Sequence, residues 1–267
     1  MSNPSTRRPQ PRPPIVSETI EFGSNARIGF LRHTPDVVLK WPHQSEHAQK
    51  SIECEKRAFR ILGQNRYLVR LLNISDVGLV FEYHPFRSIR HYYKQHGLPT
   101  LSQRYHWCHD AVSGFAYIHS KNLVHHDISA RNILVSSDFN LKICDFGSAA
   151  FVGEHSHGAA EFRYTFGRVQ NEWERTFQYD LFCMGALFYE IILGKPPYEN
   201  IDRAEVLERY RELAFPDIAD IAGSYAAIIE NCWYDKYSFI QELEADLPPL
   251  SPLAITGTVV SQRDVLP

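Results

Sequence analysis

Apolar residues change their spacing along this chain, and the changes mark its elements. From Glu18 to Lys40 the text is strand-like and closes on the apolar run "VVL" just before Lys40. Pro42 ends that run and Ser45 stands where a helix cap belongs. Ala48, Ile52, Phe59 and Leu62 then share one helical face, which predicts a helix over 45–62. "LVRLLNI" and "VGLVFEY" predict two more strands, and Pro85 interrupts the pattern. From Leu101 the spacing is helical, with helices expected at 102–120, 178–193, 203–213 and 222–232 and one interruption, a hairpin around 132–145. A small β-rich part followed by a larger helical part is an α+β pattern of two lobes. The N-lobe is expected at 17–84 and the C-lobe at 85–247, between a proline-rich tail at 1–16, expected to be disordered, and a C-terminal tail at 248–267.

Composition narrows the classes. With 267 residues, 44% of them hydrophobic, the chain can bury a sizeable core. Its 28 basic and 31 acidic residues give a net charge of −3, which supplies no reason to expect nucleic acid or an anionic membrane as a partner. The five cysteines are scattered without metal-ligand spacing and read as reduced thiols. "MSNPSTRRPQPRPP" has no apolar h-region, so no secretory signal is expected, and the fourteen-residue stretch "LFCMGALFYEIILG" is too short to span a bilayer. A cytoplasmic location follows as the expectation. Residues 9–14 also have the form of a polyproline ligand for an SH3-type domain, with a plain solvated tail as the simpler reading.

Candidate chemistry concentrates in "VHHDISARNILV" at 124–135. A hairpin folded about Asp138 and Phe139 sets Asn132 opposite Asp145, roughly 5 Å apart at the backbone, with Asp127 just before the first strand. Oxygen ligands gathered in this way suit a hard cation such as Mg²⁺; the bland alternative is ordinary turn polarity. Glu55 falls on the apolar stripe of the 45–62 helix, whereas Glu53 lies off it. A carboxylate there needs a cation, and Lys40 at the end of "VVLK" is the nearest inward candidate.

These segments resemble the protein-kinase family. "HHDISARN" resembles its catalytic loop, "DFG" at 145–147 its magnesium-binding motif, "VVLK" its strand-lysine signature, and "YDLFCMGALFYEIILGKPPY" its central large-lobe helix. "CW" at 232–233 resembles a later signature, so the resemblance runs over about residues 20 to 247. It implies a bilobal kinase-like fold, ATP and Mg²⁺ as cofactors, and a protein substrate. Lys40 would hold the α- and β-phosphates and be held by Glu55; Asp127 would orient the acceptor hydroxyl or take its proton. Asn132 and Asp145 would ligate the metal. Gly23 belongs to the phosphate loop, Val38 and Leu134 bracket the adenine, Glu82 to His84 offer it backbone groups, and Phe81 guards the pocket behind.

The pattern is broken in three places. "FGSNARIGF" keeps Gly23, has Gly29 one place late and lacks the other glycines, which predicts looser ATP binding, and Val38 narrows the adenine slot. His126 stands where many kinases carry an arginine that grips an activation-loop phosphate, so activity without loop phosphorylation is expected. No alanine-proline-glutamate triplet follows "RYTFG", and Glu172 or Glu174 would have to supply its acid. Ser129 replaces the lysine usual in serine/threonine kinases and Arg131 resembles the tyrosine-kinase loop, while base rates favour serine/threonine. The alternatives are a pseudokinase that binds without turnover and a small-molecule phosphotransferase of related fold.

Overall fold

Alternation along "VVLKW" decides how the first third folds. In a computed structural model, which describes residues 12–156, 158, 160–164 and 176–250, the strand-like text from 18 to 40 becomes three strands. These are β1 (Val16–Phe22), β2 (Ala26–Leu31) and β3 (Thr34–Pro42). With β4 (Leu71–Ile74) and β5 (Leu79–Glu82) they form one antiparallel sheet in the order β1-β2-β3-β5-β4. Side chains alternate across a strand, so Val38 and Lys40 share the face turned to the lobe interface, while Leu39 and Trp41 share the other. That outer face closes over a small cluster of Val16, Leu39, Trp41 and Val80.

Val16 corrects the expected tail boundary at residue 16. It is wholly buried in that cluster, and the carbonyls of Pro13, Pro14 and Ile15 accept from Val16 N, Arg32 Nε and Arg32 N. The ordered sheet therefore starts inside the proline-rich segment. Of the expected polyproline stretch, residues 9–11 lie outside the described residues.

Helix α1 (Glu46–Leu62) forms where its stripe predicts. Ser45 accepts from Ala48 N as the cap, Gly63 ends the helix, and the buried face carries Ala48, Ile52, Glu55, Phe59 and Leu62. After the hinge come α2 (Ile89–His96), α3 (Leu101–Ser120), β6 (Leu123–Val124), β7 (Ile133–Val135), β8 (Leu141–Ile143) and β9 (Ala150–Phe151). The chain then adds α4 (Phe177–Leu193), α5 (Arg203–Arg211), α6 (Gly223–Trp233) and α7 (Ile240–Asp246). The short helices α2 and α7 are additions to the sequence expectation. α4 is buried all round, as a central C-lobe helix must be, and α6 lies against it closely enough that a Cβ on Gly185 would sit 2.8 Å from Cys232 Cβ. This is a bilobal α+β fold. Among the described residues no helix is long and apolar enough to cross a membrane, and all five cysteines are free thiols.

The hairpin register differs from expectation by one residue. Ile133 faces Ile143 and Val135 faces Leu141, so Asn132 lies opposite Cys144, not Asp145. The cause is the turn. Phe139 adopts a left-handed φ of 61°, with its N–H donating to Ser136 O and Ser136 N–H to Asn140 O. That makes a three-residue loop with one extra residue on its second arm. Trp107 and Gln103 of α3 both donate to Phe139 O, at 2.7 and 3.1 Å, and hold the turn in place.

Candidate active site

Three elements deliver charge to one point between the lobes. β3 presents Lys40 inward, α1 presents Glu55, and the strand end after β8 presents Asp145. Lys40 Nζ lies 2.5 Å from Glu55 Oε2 and 2.9 Å from Asp145 Oδ1. The Glu55 side chain is 2% exposed and Lys40 is nearly as buried, so the two charges face each other out of water. Burial alone would lower the Lys40 pKa, but Asp145 and Glu55 together raise it above the ordinary lysine value. Burial pushes the Asp145 carboxyl up; the Lys40 charge and hydrogen bond outweigh it, and the net shift is downward. For Glu55 burial wins over Lys40 and the shift is upward.

Packing fixes α1 in this position. Phe59 meets Phe146 edge-on at 5.1 Å and Phe81 at 5.3 Å, and Phe146 in turn lies 5.0 Å from the ring of His125. Gly147 lets α1 approach closely: a Cβ there would stand 2.2 Å from Ser51 Oγ, which would have to turn away. Asp145 itself is left-handed (φ 63°), which lets its carboxylate accept from Gly147 N while facing Lys40.

On the C-lobe side, Asn132 Nδ2 donates to the backbone carbonyl of Asp127 at 2.7 Å, which leaves the Asn132 side-chain oxygen for another partner. Asp127 Oδ1 is buried and has no hydrogen-bond partner within the protein, so it is open to a water or a ligand. Burial, then the neighbouring Asp145 charge, pushes the Asp127 carboxyl up to about 7. Among the described residues no three His, Cys, Asp or Glu side chains form a metal cage. A Mg²⁺ that keeps its waters and phosphates needs fewer protein ligands, and the donors present are the hard oxygens it prefers.

The backbone at His125 and His126 hangs on Asp180, at the start of α4. Its carboxylate is fully buried and accepts from His125 N at 2.8 Å, His126 N at 3.0 Å and His119 Nε2 at 3.0 Å. His126 is itself wholly buried, left-handed (φ 65°) and 5.8 Å from the Tyr179 ring. It packs in the interior, beside the start of α4.

Two connected hollows meet at this charge cluster. The hinge-side cavity, about 700 Å³ with its mouth, is lined by Val38, Phe81, Glu82, His84 and Leu134 together with Lys40, Glu55, Asn132 and Asp145. The larger one, about 1380 Å³, is lined by Gly23, Asp127 and the same charged groups. Every site residue expected from the sequence thus borders one cleft. Ile20 and Cys144 also line it and escaped the sequence reading, because their place depends on how β1 and the strand end after β8 pack across the cleft.

Two expectations about the glycine-rich segment change in structural terms. Gly23 closes a tight turn, its N–H donating to Ala26 O at 2.9 Å, so that amide is already committed. Gly29 sits within β2 opposite Thr19, where a Cβ would meet Glu18 O at 2.3 Å; it permits close strand approach and is no part of the loop. Glu172 and Glu174 lie outside the described residues.

A second charge network adjoins the site. Arg90 donates to both carboxylate oxygens of Glu190, at 2.6 and 2.5 Å, and to Glu161 at 3.0 Å; Arg131 Nε meets Glu161 at 3.1 Å and Tyr164 OH donates to Glu190. It ties α2, α4 and the segment carrying Arg131 into one unit, and the Glu161 amide also faces Asp127. No periodicity announces it.

Comparison with known proteins agrees with this geometry. The family model described as "Protein tyrosine and serine/threonine kinase" matches residues 25–240. The chain is 28% identical over 247 residues to the mouse (Mus musculus) cytoplasmic tyrosine-protein kinase BMX, covering 86% of this chain and 37% of that protein. It is 26% identical over 200 residues to the rat (Rattus norvegicus) serine/threonine-protein kinase PLK2, covering 72% of this chain and 29% of that protein. The chain therefore spans about a third of the length of these relatives. The match to the family model extends over most of the sequence, and the chain belongs to the protein tyrosine and serine/threonine kinase family.

Proposed function

We propose that this kinase domain is catalytically active and transfers the γ-phosphate of ATP to a hydroxyl of a protein substrate. The observation that carries the reading is Lys40, held between Glu55 and Asp145 in the cleft that also holds Asp127 and Asn132. Phosphoryl transfer needs positioning and charge stabilisation more than covalent chemistry, and these groups supply both. Val38 and Leu134 would sandwich the adenine, with the His84 amide as a hinge donor. Lys40 would neutralise the inner phosphates. Asn132 and Asp145 would hold Mg²⁺, which draws off charge at the β- and γ-phosphate oxygens. Asp127, with a carboxyl poised at about 7, orients the acceptor hydroxyl and takes its proton.

Transfer of labelled γ-phosphate by the wild-type chain tests the reading, with Asp127→Asn beside it. The variant is expected to lose transfer while still binding ATP; equal transfer by both would remove Asp127 from its role. A second reading, binding without turnover, draws on the Gly23 amide being committed to its own turn. ATP binding without transfer to any acceptor would establish it. For the acceptor we retain serine or threonine on abundance, against Arg131, which favours tyrosine. Peptide libraries carrying only one hydroxyl type decide between them.

A further inference from the structure

An ion pair crosses between the lobes at the hinge-side cavity. Glu21 lies on β1 and Arg87 on the segment that leads from the hinge into α2. Arg87 Nη2 lies 2.8 Å from Glu21 Oε2 and also donates to Ile20 O at 3.3 Å. Both residues line the same cavity as Val38, Leu134 and Cys144, and Glu21 borders the phosphate-side hollow as well. The two side chains are 29% and 52% exposed, which sets the pair at the cavity's mouth and not in its floor.

The backbone makes the placement more telling. Arg87 has φ of 55°, a left-handed conformation that crowds any Cβ. Two hydrogen bonds keep it there: Arg87 N donates to His84 O at 2.9 Å, and Val135 N donates to Arg87 O at 2.8 Å. Glycine would adopt this conformation without penalty. A long charged residue held in strain at a cleft mouth is the arrangement in which a ligand role is to be sought.

We propose that the Glu21–Arg87 pair gates the nucleotide cleft, setting how fast ATP enters and ADP leaves. The proposal rests on the nucleotide-binding reading of that cleft. With the pair closed, β1 is tied to the C-lobe side and a nucleotide must wait for it to part. A part-solvated pair shifts that opening equilibrium by up to about fivefold. Salt screens such a pair, so exchange by the wild type should quicken as ionic strength rises.

Surface plasmon resonance of the immobilised full chain with unlabelled Mg·ADP measures the exchange. Arg87→Gly and Glu21→Gln should each raise the association and dissociation rates about two- to fivefold and lose the salt dependence. The charge-swapped double variant E21R/R87E should return towards wild-type rates. Because Arg87→Gly also relieves the strained φ, it should melt no lower than wild type, which separates gating from unfolding. A nucleotide-free measurement runs in parallel: alkylation of Cys144 by iodoacetamide, followed at peptide resolution, should quicken by a similar factor in the single variants. Unchanged exchange and alkylation in folded single variants would overturn the gate. If no form binds Mg·ADP, the nucleotide reading falls, and the alkylation rates alone decide whether the pair closes the cavity.

Discussion

Replacing Glu55 with glutamine tests the buried charge cluster directly. Lys40 is 8% exposed, with Glu55 at 2.5 Å and Asp145 at 2.9 Å. Breaking a buried ion pair costs about 3–5 kcal/mol, because the remaining charge stays out of water. Asp145 still faces the ammonium and glutamine still offers it an oxygen, so the lower end applies, about 3 kcal/mol. For a domain of this size that is a fall in Tm of about 6–12 °C. Urea denaturation followed by fluorescence measures the free energy, and a thermal melt checks it. Glu53→Gln is the control: that side chain is 61% exposed, and its loss should be within about 0.5 kcal/mol. A Glu55→Gln loss as small as the control would mean that Lys40 draws its compensation elsewhere and that the reading of the cluster is wrong.

Other outcomes follow from the same geometry. Gly147→Ala should destabilise by about 1–3 kcal/mol through the clash with Ser51 Oγ, and adding Ser51→Ala should recover most of it in the same denaturation assay. Arg90→Met leaves Glu190 and Glu161 without their shared cation and should cost about 3–5 kcal/mol, read from the urea midpoint. Burial pushes the Asp180 carboxyl up, yet the His119 hydrogen bond and neighbouring charges bring it below the ordinary value. Its stabilising contribution is therefore present above about pH 4 and is lost as pH falls through the lowered folded value. Denaturation of wild type and Asp180→Asn from pH 7 to pH 3 should show a gap at neutral pH that narrows in acid; a constant gap would contradict the assignment.

How far the sequence revealed this molecule depends on whether local pattern or distant contact decides each element. α1 was legible down to Glu55 because its stripe, its Ser45 cap and its Gly63 end all lie within one segment. The Asp127, Asn132 and Asp145 grouping was legible because a hairpin brings near neighbours together. Its register was not: the extra residue comes from a left-handed Phe139, a residue that signals no such turn and is held by Trp107 and Gln103 of α3. α2 has only Ile89 and Tyr92 buried among polar neighbours, and what anchors it is Arg90, paired with glutamates 71 and 100 residues away. α7 likewise buries only Ile240 and Leu243. Val16 looked like tail because its neighbours are prolines, and its partners Leu39, Trp41 and Val80 are distant in sequence. Gly29 matched a loop motif by spacing alone, whereas the β1 backbone is what requires it.

Thermal stabilisation by ATP with and without Mg²⁺, compared between wild type and Asp145→Ala, tests most directly whether these residues form one metal-nucleotide site. At about a hundred times its Kd, a ligand bound only by the folded state adds about 2.7 kcal/mol. The account predicts that wild type gains this much with Mg·ATP and much less with ATP plus chelator, and that Asp145→Ala loses the metal-dependent part. Stabilisation that is indifferent to Mg²⁺, or that survives intact in Asp145→Ala, would contradict it.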